Sequence, residues 1–168
     1  MDVLTPQQRR RCMQSNKSKG TKPELVLARL LWSCGIRYRK HPKNIIGKPD
    51  FCIKKYRLAI FVDGEFWHGR NWKSKKNTLK GNREFWIAKI ERNIERDRKV
   101  TQTLQAAGWA VFRFWESDIY RHPGICLRQV LEYMCQYMHL DIPQYLPSDF
   151  YQEEHLAADP ATEYGKET

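Results

Sequence analysis

The chain has 168 residues, of which 41% are hydrophobic and 29% are charged, and its formal net charge is +11 at pH 7. This balance fits one globular domain with its own core and excludes a disordered chain or a coiled coil. No apolar run approaches the length of a membrane span, and the N-terminus has no apolar segment of a secretion signal, so we expect a cytoplasmic protein with no membrane partner.

The charge is distributed unevenly along the chain. Residues 141–168 contain seven acidic residues and one basic residue, a net charge of −6, which leaves +17 on the residues before them. A field of that sign attracts polyanions, of which nucleic acid is the commonest. A basic protein without a nucleic-acid partner is the alternative. We predict a nucleic-acid-binding body and an acidic C-terminal tail over residues 141–168.

Residues 1–20 are polar and basic and predict an arm or a frayed helix. A helix is predicted over residues 21–35, because Pro23 suits its first turn, Glu24 lies near the positive end of the helix dipole, and Gly35 ends it. Its predicted buried face consists of Leu25, Leu27, Ala28, Leu31 and Trp32.

Three strands are predicted next. A short basic strand is expected around Arg37–Lys40, and residues 50–64 form two strands joined by a tight turn near Lys55–Tyr56. Residues 69–82 are polar and basic with several glycines, which predicts a mobile loop.

A long helix is predicted from Arg83 to Ala107, and its proposed apolar side consists of Phe85, Ile87, Ile90, Ile94, Val100 and Leu104. Residues 109–115 alternate as a strand, and a last helix runs from Pro123 to about Leu140. This order of elements predicts an α/β domain over residues 21–140, with a central mixed sheet flanked by helices.

Two carboxylates are predicted at one edge of that sheet. Asp50 opens the first strand of the hairpin and Asp63 closes the second, so antiparallel pairing brings both to the same edge. Adjacent carboxylates are costly without a cation between them, and hard oxygen ligands favour Mg²⁺. Glu24 reaches the same place from the first helix. These residues predict a metal-assisted phosphodiesterase site.

His68 follows Asp63 by five residues and is placed to accept a proton from water, while Asp97 on the long helix is a candidate to fix its tautomer. Structural roles are the alternatives: turn residues for Asp50 and Asp63, a surface position for His68, and an ion pair on the helix surface for Asp97.

Phe66 and Trp67 lie beside this site in sequence. They either contact DNA bases, by stacking or as a wedge, or fill the core behind the sheet. Residue spacing does not separate these two roles.

Five stretches of the chain match a known family in its own order, over about residues 9–118: RRRCMQSNKSKGT, TKPELVLARLLWSCGIRYR, GKPDF, YRLAIFVDGEFWHG and EFWIAKIERNIERDRKVTQTLQAAGWAVFRFWE. With these stretches the chain resembles the Vsr-type very short patch repair endonucleases, which nick DNA beside a T/G mismatch. That family belongs to the restriction-endonuclease-like superfamily, which agrees with the predicted sheet.

The resemblance implies a role for each candidate site residue. Asp50 would be the principal Mg²⁺ ligand, aided by the backbone carbonyl of Val62. Glu24 would assist the metal through water. His68 would activate the attacking water, Asp97 would hold His68, and the product would be a nick with a 5′-phosphate.

The resemblance also implies how DNA is bound. Phe66 and Trp67 would enter beside the mismatch from the major groove, and Met13 from the opposite groove. The basic arm over residues 1–20 would contact the backbone, and its candidate residues are Arg10, Arg11, Lys17 and Lys19. The expected partner is double-stranded DNA with a T/G mismatch. We expect a monomer that associates with the nucleoid. Mismatch-repair proteins are possible further partners.

The chain departs from the family at two places. Asp63 stands where the family carries a second active-site histidine, so we expect Asp63 to bind the metal directly. The positions of the family's structural zinc ligands carry Glu65, Arg70, Trp72 and Ser117, which form no zinc set. We predict no structural zinc and a Glu65–Arg70 salt bridge that braces the same loop.

Three functions are compatible with these residues. The first is a Mg²⁺-dependent nickase for T/G mismatches in DNA repair. The second is a strand-cutting endonuclease of a restriction or mobile-element system without mismatch specificity. The third is a catalytically inactive DNA-binding module, against which the complete set of candidate catalytic residues argues.

Overall fold

The computed structural model describes residues 5, 7, 8, 10, 11, 19–79 and 81–138. The predicted acidic tail and the arm residues Met13 and Lys17 lie outside the described residues. Of the predicted arm, residues 7, 8, 10 and 11 are helical. Each described helix is too short or too polar to cross a lipid bilayer.

The described elements follow in the order α1 (Lys22–Ser33), β1 (Arg39–Lys40), β2 (Phe51–Ile53), β3 (Leu58–Asp63), α2 (Trp72–Lys75), α3 (Arg83–Ala106), β4 (Ala110–Trp115), α4 (Glu116–Arg121) and α5 (Pro123–Met138). Two 3₁₀ turns, Lys54–Tyr56 and Lys76–Thr78, complete the list. The predicted order of the seven main elements is confirmed. The short helices α2 and α4 are additional, because a helix of four to six residues leaves too little periodicity to recognise.

The four strands form one mixed sheet in the order β1-β2-β3-β4. β2 is antiparallel to β1 and β3, whereas β3 and β4 are parallel. A parallel pair needs a long crossover connection, and α3 lies in this one. Phe51 pairs with Ile60, so Asp50 and Asp63 lie towards the same end of the hairpin, as predicted.

Helices cover both faces of the sheet. On one face α1, α4 and α5 pack their apolar side chains against Phe51, Leu58 and Ile60. On the other face Leu104 and Val100 of α3 pack against Ala59 and Phe61. Strands covered on both faces are expected to be apolar throughout, and β3 is buried along nearly its whole length. The predicted α/β fold is confirmed.

Three apolar residues assigned to buried faces are exposed, which corrects the prediction. Leu25 and Trp32 of α1 face solvent, and Trp32 instead stacks on the guanidinium of Arg37, 3.7 Å from the ring centre. Phe85 in the first turn of α3 is 59% exposed. The loop predicted over 69–82 is also corrected, since it contains α2 and a 3₁₀ turn.

Candidate active site

An open cleft with a volume of about 920 Å³ lies at the edge of the sheet where β2 begins and β3 ends. Its walls include all five predicted catalytic residues: Glu24, Asp50, Asp63, His68 and Asp97. The structure therefore brings together side chains from α1, the β2–β3 hairpin, the following loop and α3. This convergence disfavours the independent structural roles considered for each residue.

Asp50 is held by the neighbouring strand. The backbone N–H of Val62 donates to Asp50 Oδ2 at 2.7 Å. Burial raises the pKa of Asp50 from its ordinary value of 3.8 to about 6; the Val62 hydrogen bond opposes this shift, and the nearby Glu24 and Asp63 charges add to it. An ionised Asp50 is thus costly in the metal-free protein, and a bound cation would relieve that cost.

We expect Asp50→Asn to raise the free energy of unfolding of the metal-free protein near pH 8 by up to about 3 kcal/mol, since each pKa unit is worth about 1.4 kcal/mol. The folded chain binds the Asp50 proton more tightly than the unfolded chain does. The stability that the folded chain gains by binding this proton is therefore fully present below the unfolded-state pKa of 3.8, and it is lost as the pH rises through about 6.

Denaturant unfolding with EDTA at several pH values measures this effect. The advantage of Asp50→Asn over the wild type should shrink as the pH falls from about 6 to about 4. Glu95→Gln, which removes an exposed carboxylate from α3, is the matched control and should show no such pH dependence. A variant that is less stable than the wild type near pH 8 contradicts this account of Asp50.

Three side chains next to the cleft offer ligand atoms to one metal ion. Glu24, His41 and Asp50 each have a ligand atom within 4.8 Å of the others. Glu24 is buried at the start of α1, where its carboxylate accepts hydrogen bonds from Gly20 N–H at 3.0 Å and the Thr21 hydroxyl at 2.9 Å. Two fixed carboxylates beside an open cleft suit a divalent cation that keeps some of its waters.

Asp63 is engaged in a different interaction. Arg113 on β4 donates from Nε to Asp63 Oδ2 at 2.6 Å and from Nη2 to Oδ1 at 2.8 Å. Asp63 is 4% exposed, whereas the Arg113 side chain is 21% exposed, so this bidentate pair is partly buried. Direct metal binding by Asp63, expected from the sequence, stays a prediction, and it would require Asp63 to share oxygens already bound to Arg113.

His68 is oriented by Asp97 as the sequence predicted. His68 Nδ1 lies 2.5 Å from Asp97 Oδ2 and 3.4 Å from Asp63 Oδ1. Burial acts to raise the pKa of Asp97, but the hydrogen bond and charge of His68, with the charges of Arg113 and Arg96, outweigh it and hold that pKa below its ordinary value. Because Nδ1 is committed to Asp97, Nε2 is the ring nitrogen left for proton transfer.

Arg113 connects these two carboxylates. Its Nη2 lies 3.5 Å from Asp97 Oδ2 in addition to its contact with Asp63, and its guanidinium lies over the Phe61 ring at 4.6 Å. The sequence analysis missed Arg113. The sequence did contain an indication of it: Arg113 is a charged residue within an otherwise apolar strand, β4. That strand pairs in parallel with β3, which ends at Asp63.

An aromatic cluster stands beside the cleft. Phe66 is 38% exposed and Trp67 is half-buried, and both make edge-on contacts with Trp86 of α3, at 5.4 Å and 5.9 Å between ring centres. Lys89 Nζ lies 5.1 Å from the centre of the Trp67 ring. Neither Phe66 nor Trp67 is a fully buried core residue. Trp86 and Lys89 were missed because helical spacing alone does not show which face meets the loop.

The loop that carries Phe66, Trp67 and His68 is held close to α3. Asn93 donates to the backbone carbonyl of Trp67 at 3.0 Å. Gly69 has a positive φ of +73°, and a Cβ at this position would lie 2.5 Å from Ile94. Any other residue would be strained at this φ and would have to displace the Ile94 side chain.

The predicted Glu65–Arg70 salt bridge is confirmed, with 3.1 Å between Arg70 Nη1 and Glu65 Oε1. Ser117 of α4 contacts both partners at 2.5 Å, and Arg70 Nη1 lies 2.8 Å from Asp118. Three of the four positions compared with zinc ligands, Glu65, Arg70 and Ser117, therefore form one bonded group with Asp118, and we call these four residues the loop brace. The fourth, Trp72, donates to Glu91 at 3.4 Å.

Arg70→Gln should lower the melting temperature by a few degrees and speed proteolysis after β3, because it removes the charge that joins two carboxylates of the loop brace. Lys73→Gln is the matched control, because it also removes one positive charge, from an exposed residue of α2. A zinc chelator should leave the melting temperature of the wild type unchanged. A large fall in melting temperature that a chelator causes in the wild type but not in Arg70→Gln would show that a metal bound in this loop stabilises it.

Basic side chains surround the cleft. Lys22, Lys48 and Arg96 lie in its walls, and all three are exposed. Of the predicted arm contacts, Arg10, Arg11 and Lys19 are exposed, while Lys17 lies outside the described residues. Cations in this position are suited to contact a phosphate backbone.

Sequence comparisons identify relatives of this chain. The family model for the DNA mismatch endonuclease Vsr matches residues 1–74. The type II nicking enzyme V.NmeDIP of Neisseria meningitidis serogroup C is 62% identical over 130 residues, which cover 77% of this chain and 88% of that protein. The DNA mismatch endonuclease Vsr of Escherichia coli (strain K12) is 36% identical over 115 residues, covering 68% of this chain and 73% of that protein.

A solved structure supports the fold. The catalytic domain of the homing endonuclease I-Bth0305I superposes with a TM-score of 0.51 at 18% sequence identity, over 71% of this chain and 99% of that one. At this identity the likeness concerns the restriction-endonuclease-like architecture alone. The sequence relatives, taken with the family model, carry the assignment: the chain is a DNA endonuclease that belongs to the Vsr family.

Proposed function

We propose that the chain is a Mg²⁺-dependent endonuclease that nicks one strand of double-stranded DNA beside a T/G mismatch, in very short patch repair. The observation that carries this proposal is the cleft that holds Glu24 and Asp50 together with the His68–Asp97 pair. Fixed carboxylates and an oriented histidine are the groups that metal-assisted phosphodiester hydrolysis requires.

The carboxylate groups of Glu24 and Asp50 would hold Mg²⁺, and the backbone carbonyl of Val62 is a further proposed ligand. When bound, Mg²⁺ supplies positive charge to the scissile phosphate and lowers the pKa of a coordinated water. Val62 N–H fixes Asp50 Oδ2, which leaves Oδ1 to face the site. Two carboxylates with few rotational alternatives keep the site arranged before DNA arrives.

His68 would accept the proton of the attacking water at Nε2. The contact of Asp97 with Nδ1 keeps a proton on that nitrogen and leaves Nε2 free to act as a base. Arg113 in turn touches both Asp97 and Asp63, so it fixes the two carboxylates that surround His68 Nδ1. The expected product is a 5′-phosphate on one side of the nick.

The aromatic cluster is proposed as the part that contacts the mismatch. Phe66 is 38% exposed beside the cleft, and its ring packs edge-on against the rings of Trp67 and Trp86. Because neighbouring rings already restrict the side chain of Phe66, little conformational entropy is lost when it inserts beside a weakened base pair. Met13, predicted to enter from the other groove, lies outside the described residues.

A second candidate keeps the chemistry and removes the mismatch preference. The relatives from Neisseria meningitidis serogroup C and Haemophilus parainfluenzae, 62% and 54% identical, are both described as type II nicking enzymes. That description favours a sequence-directed nickase of a restriction system as the alternative for this chain.

A panel of labelled duplexes separates the two candidates. It contains one T/G mismatch in several sequence contexts, each with its fully matched counterpart and with other mismatches, and cleavage is followed with Mg²⁺. The proposal predicts cleavage of one strand at T/G alone. Equal cleavage of matched and mismatched duplexes would reject mismatch specificity, and Phe66→Ala would then leave the substrate preference unchanged.

A further inference from the structure

We infer that His41 is a third protein ligand of the divalent cation, through an imidazole nitrogen beside the carboxylates of Glu24 and Asp50. This inference rests on the proposed metal site and adds a residue that the sequence analysis did not single out. It also changes the donor set from oxygen alone to mixed nitrogen and oxygen.

The imidazole of His41 lies between the two carboxylates. His41 Nε2 lies 3.4 Å from Glu24 Oε2, and His41 Nδ1 lies 3.5 Å from Asp50 Oδ1. Both distances are longer than good hydrogen bonds, whose usual range ends near 3.2 Å. The two distances involve different ring nitrogens, of which only one can bind the ion. A single ligand atom from each of Glu24, His41 and Asp50 lies within 4.8 Å of the other two, so one cation can be shared by the three side chains.

The available lone pairs point to the same arrangement. Asp50 Oδ2 accepts from Val62, so Oδ1 is the oxygen that faces His41. On Glu24, Oε1 accepts from both the backbone and the hydroxyl of Thr21, whereas Oε2 accepts from Gly20 and also faces His41. The two oxygens nearest the imidazole are therefore those with the most remaining capacity to bind a cation.

The backbone also places His41 beside Asp50. His41 has a φ of +45° and stands directly before Pro42. A left-handed conformation is costly for a residue with a side chain, and a following proline restricts the backbone further. The His41 N–H donates a long hydrogen bond, of 3.3 Å, to the carbonyl of Asp50, which keeps the two residues adjacent.

Pulsed electron paramagnetic resonance of the Mn²⁺-bound protein tests the ligand directly, because it detects the nuclear spin of a nitrogen bonded to the ion. The wild type should show the ¹⁴N coupling of one coordinated imidazole. His41→Asn should abolish it, and asparagine is chosen because it tolerates a left-handed backbone. His68→Asn, the matched control, should retain the coupling.

A Mn²⁺ titration of the same proteins adds a readout in affinity. His41→Asn should weaken Mn²⁺ binding by about tenfold or more, as expected when a ligand is removed. Mn²⁺ binding that depends on Asp50 but shows no nitrogen coupling in the wild type overturns the role of His41 and leaves the proposed function intact. Coupling that persists in His41→Asn overturns it as well. Absence of both Mn²⁺ binding and DNA nicking in the wild type contradicts the proposed function itself.

Discussion

Asp50→Asn is expected to lower the rate of Mg²⁺-dependent DNA nicking by about a thousandfold or more, while the protein remains folded and binds DNA. Metal ions contribute several kcal/mol to transition-state stabilisation, and about 1.4 kcal/mol corresponds to tenfold in rate. The substitution removes the negative charge from the one carboxylate that Val62 holds in place at the cleft. Single-turnover cleavage of a labelled duplex measures this effect.

The same variant separates the roles of Asp50 in stability and in catalysis. Burial makes its ionised form costly, so Asp50→Asn should gain stability near neutral pH while it loses activity. Glu95→Gln, which removes an exposed carboxylate from α3, should change neither property. Nicking by Asp50→Asn within tenfold of the wild-type rate would remove Asp50 from the catalytic site.

His68→Ala is expected to slow nicking by about 10²- to 10⁴-fold, the usual contribution of a general base. Metal affinity should be nearly unchanged, because His68 bonds Asp97 rather than the cluster of Glu24, His41 and Asp50. This pattern distinguishes His68→Ala from Asp50→Asn, which should lose both metal binding and cleavage. Single-turnover rates at saturating Mg²⁺, together with a Mn²⁺ titration, measure the two effects.

His122→Ala, an exposed histidine at the end of α4, is the control for His68→Ala and should retain the wild-type rate. Asp97→Asn should slow nicking in the same direction as His68→Ala, because it weakens the contact that fixes the tautomer of His68. Wild-type single-turnover rates in His68→Ala would exclude proton transfer by this residue.

The main elements, and the positions of the candidate catalytic residues around one cleft, were accessible from the sequence for identifiable reasons. The hairpin register followed from the apolar runs on both sides of the turn, and it placed Asp50 and Asp63 at one edge. Asp97 was a candidate on the predicted long helix, and the family resemblance paired it with His68, which it contacts in the structure. The Glu65–Arg70 pair followed from opposite charges at positions that the family resemblance had already placed together.

The remaining parts depended on contacts that no local pattern records. His41 lies in a basic segment after a two-residue strand, and its approach to Glu24 depends on a backbone conformation that propensities disfavour. Arg113 bonds Asp63 across 50 positions of sequence, which changes the environment expected for that carboxylate. The exposure of Phe85 and Trp32 depends on where neighbouring elements end, and helical periodicity does not contain that information.

The central claim is that the cleft around Asp50 is a metal-dependent site that cuts one strand of DNA. A supercoiled plasmid with a single T/G mismatch tests this claim most directly when it is treated with wild-type protein and Asp50→Asn, in Mg²⁺ or in EDTA. We predict that the supercoiled plasmid becomes an open circle with one nick, which carries a 5′-phosphate. This conversion should occur only with the wild type in Mg²⁺. Linear products, or nicking that survives in EDTA or in Asp50→Asn, would contradict it.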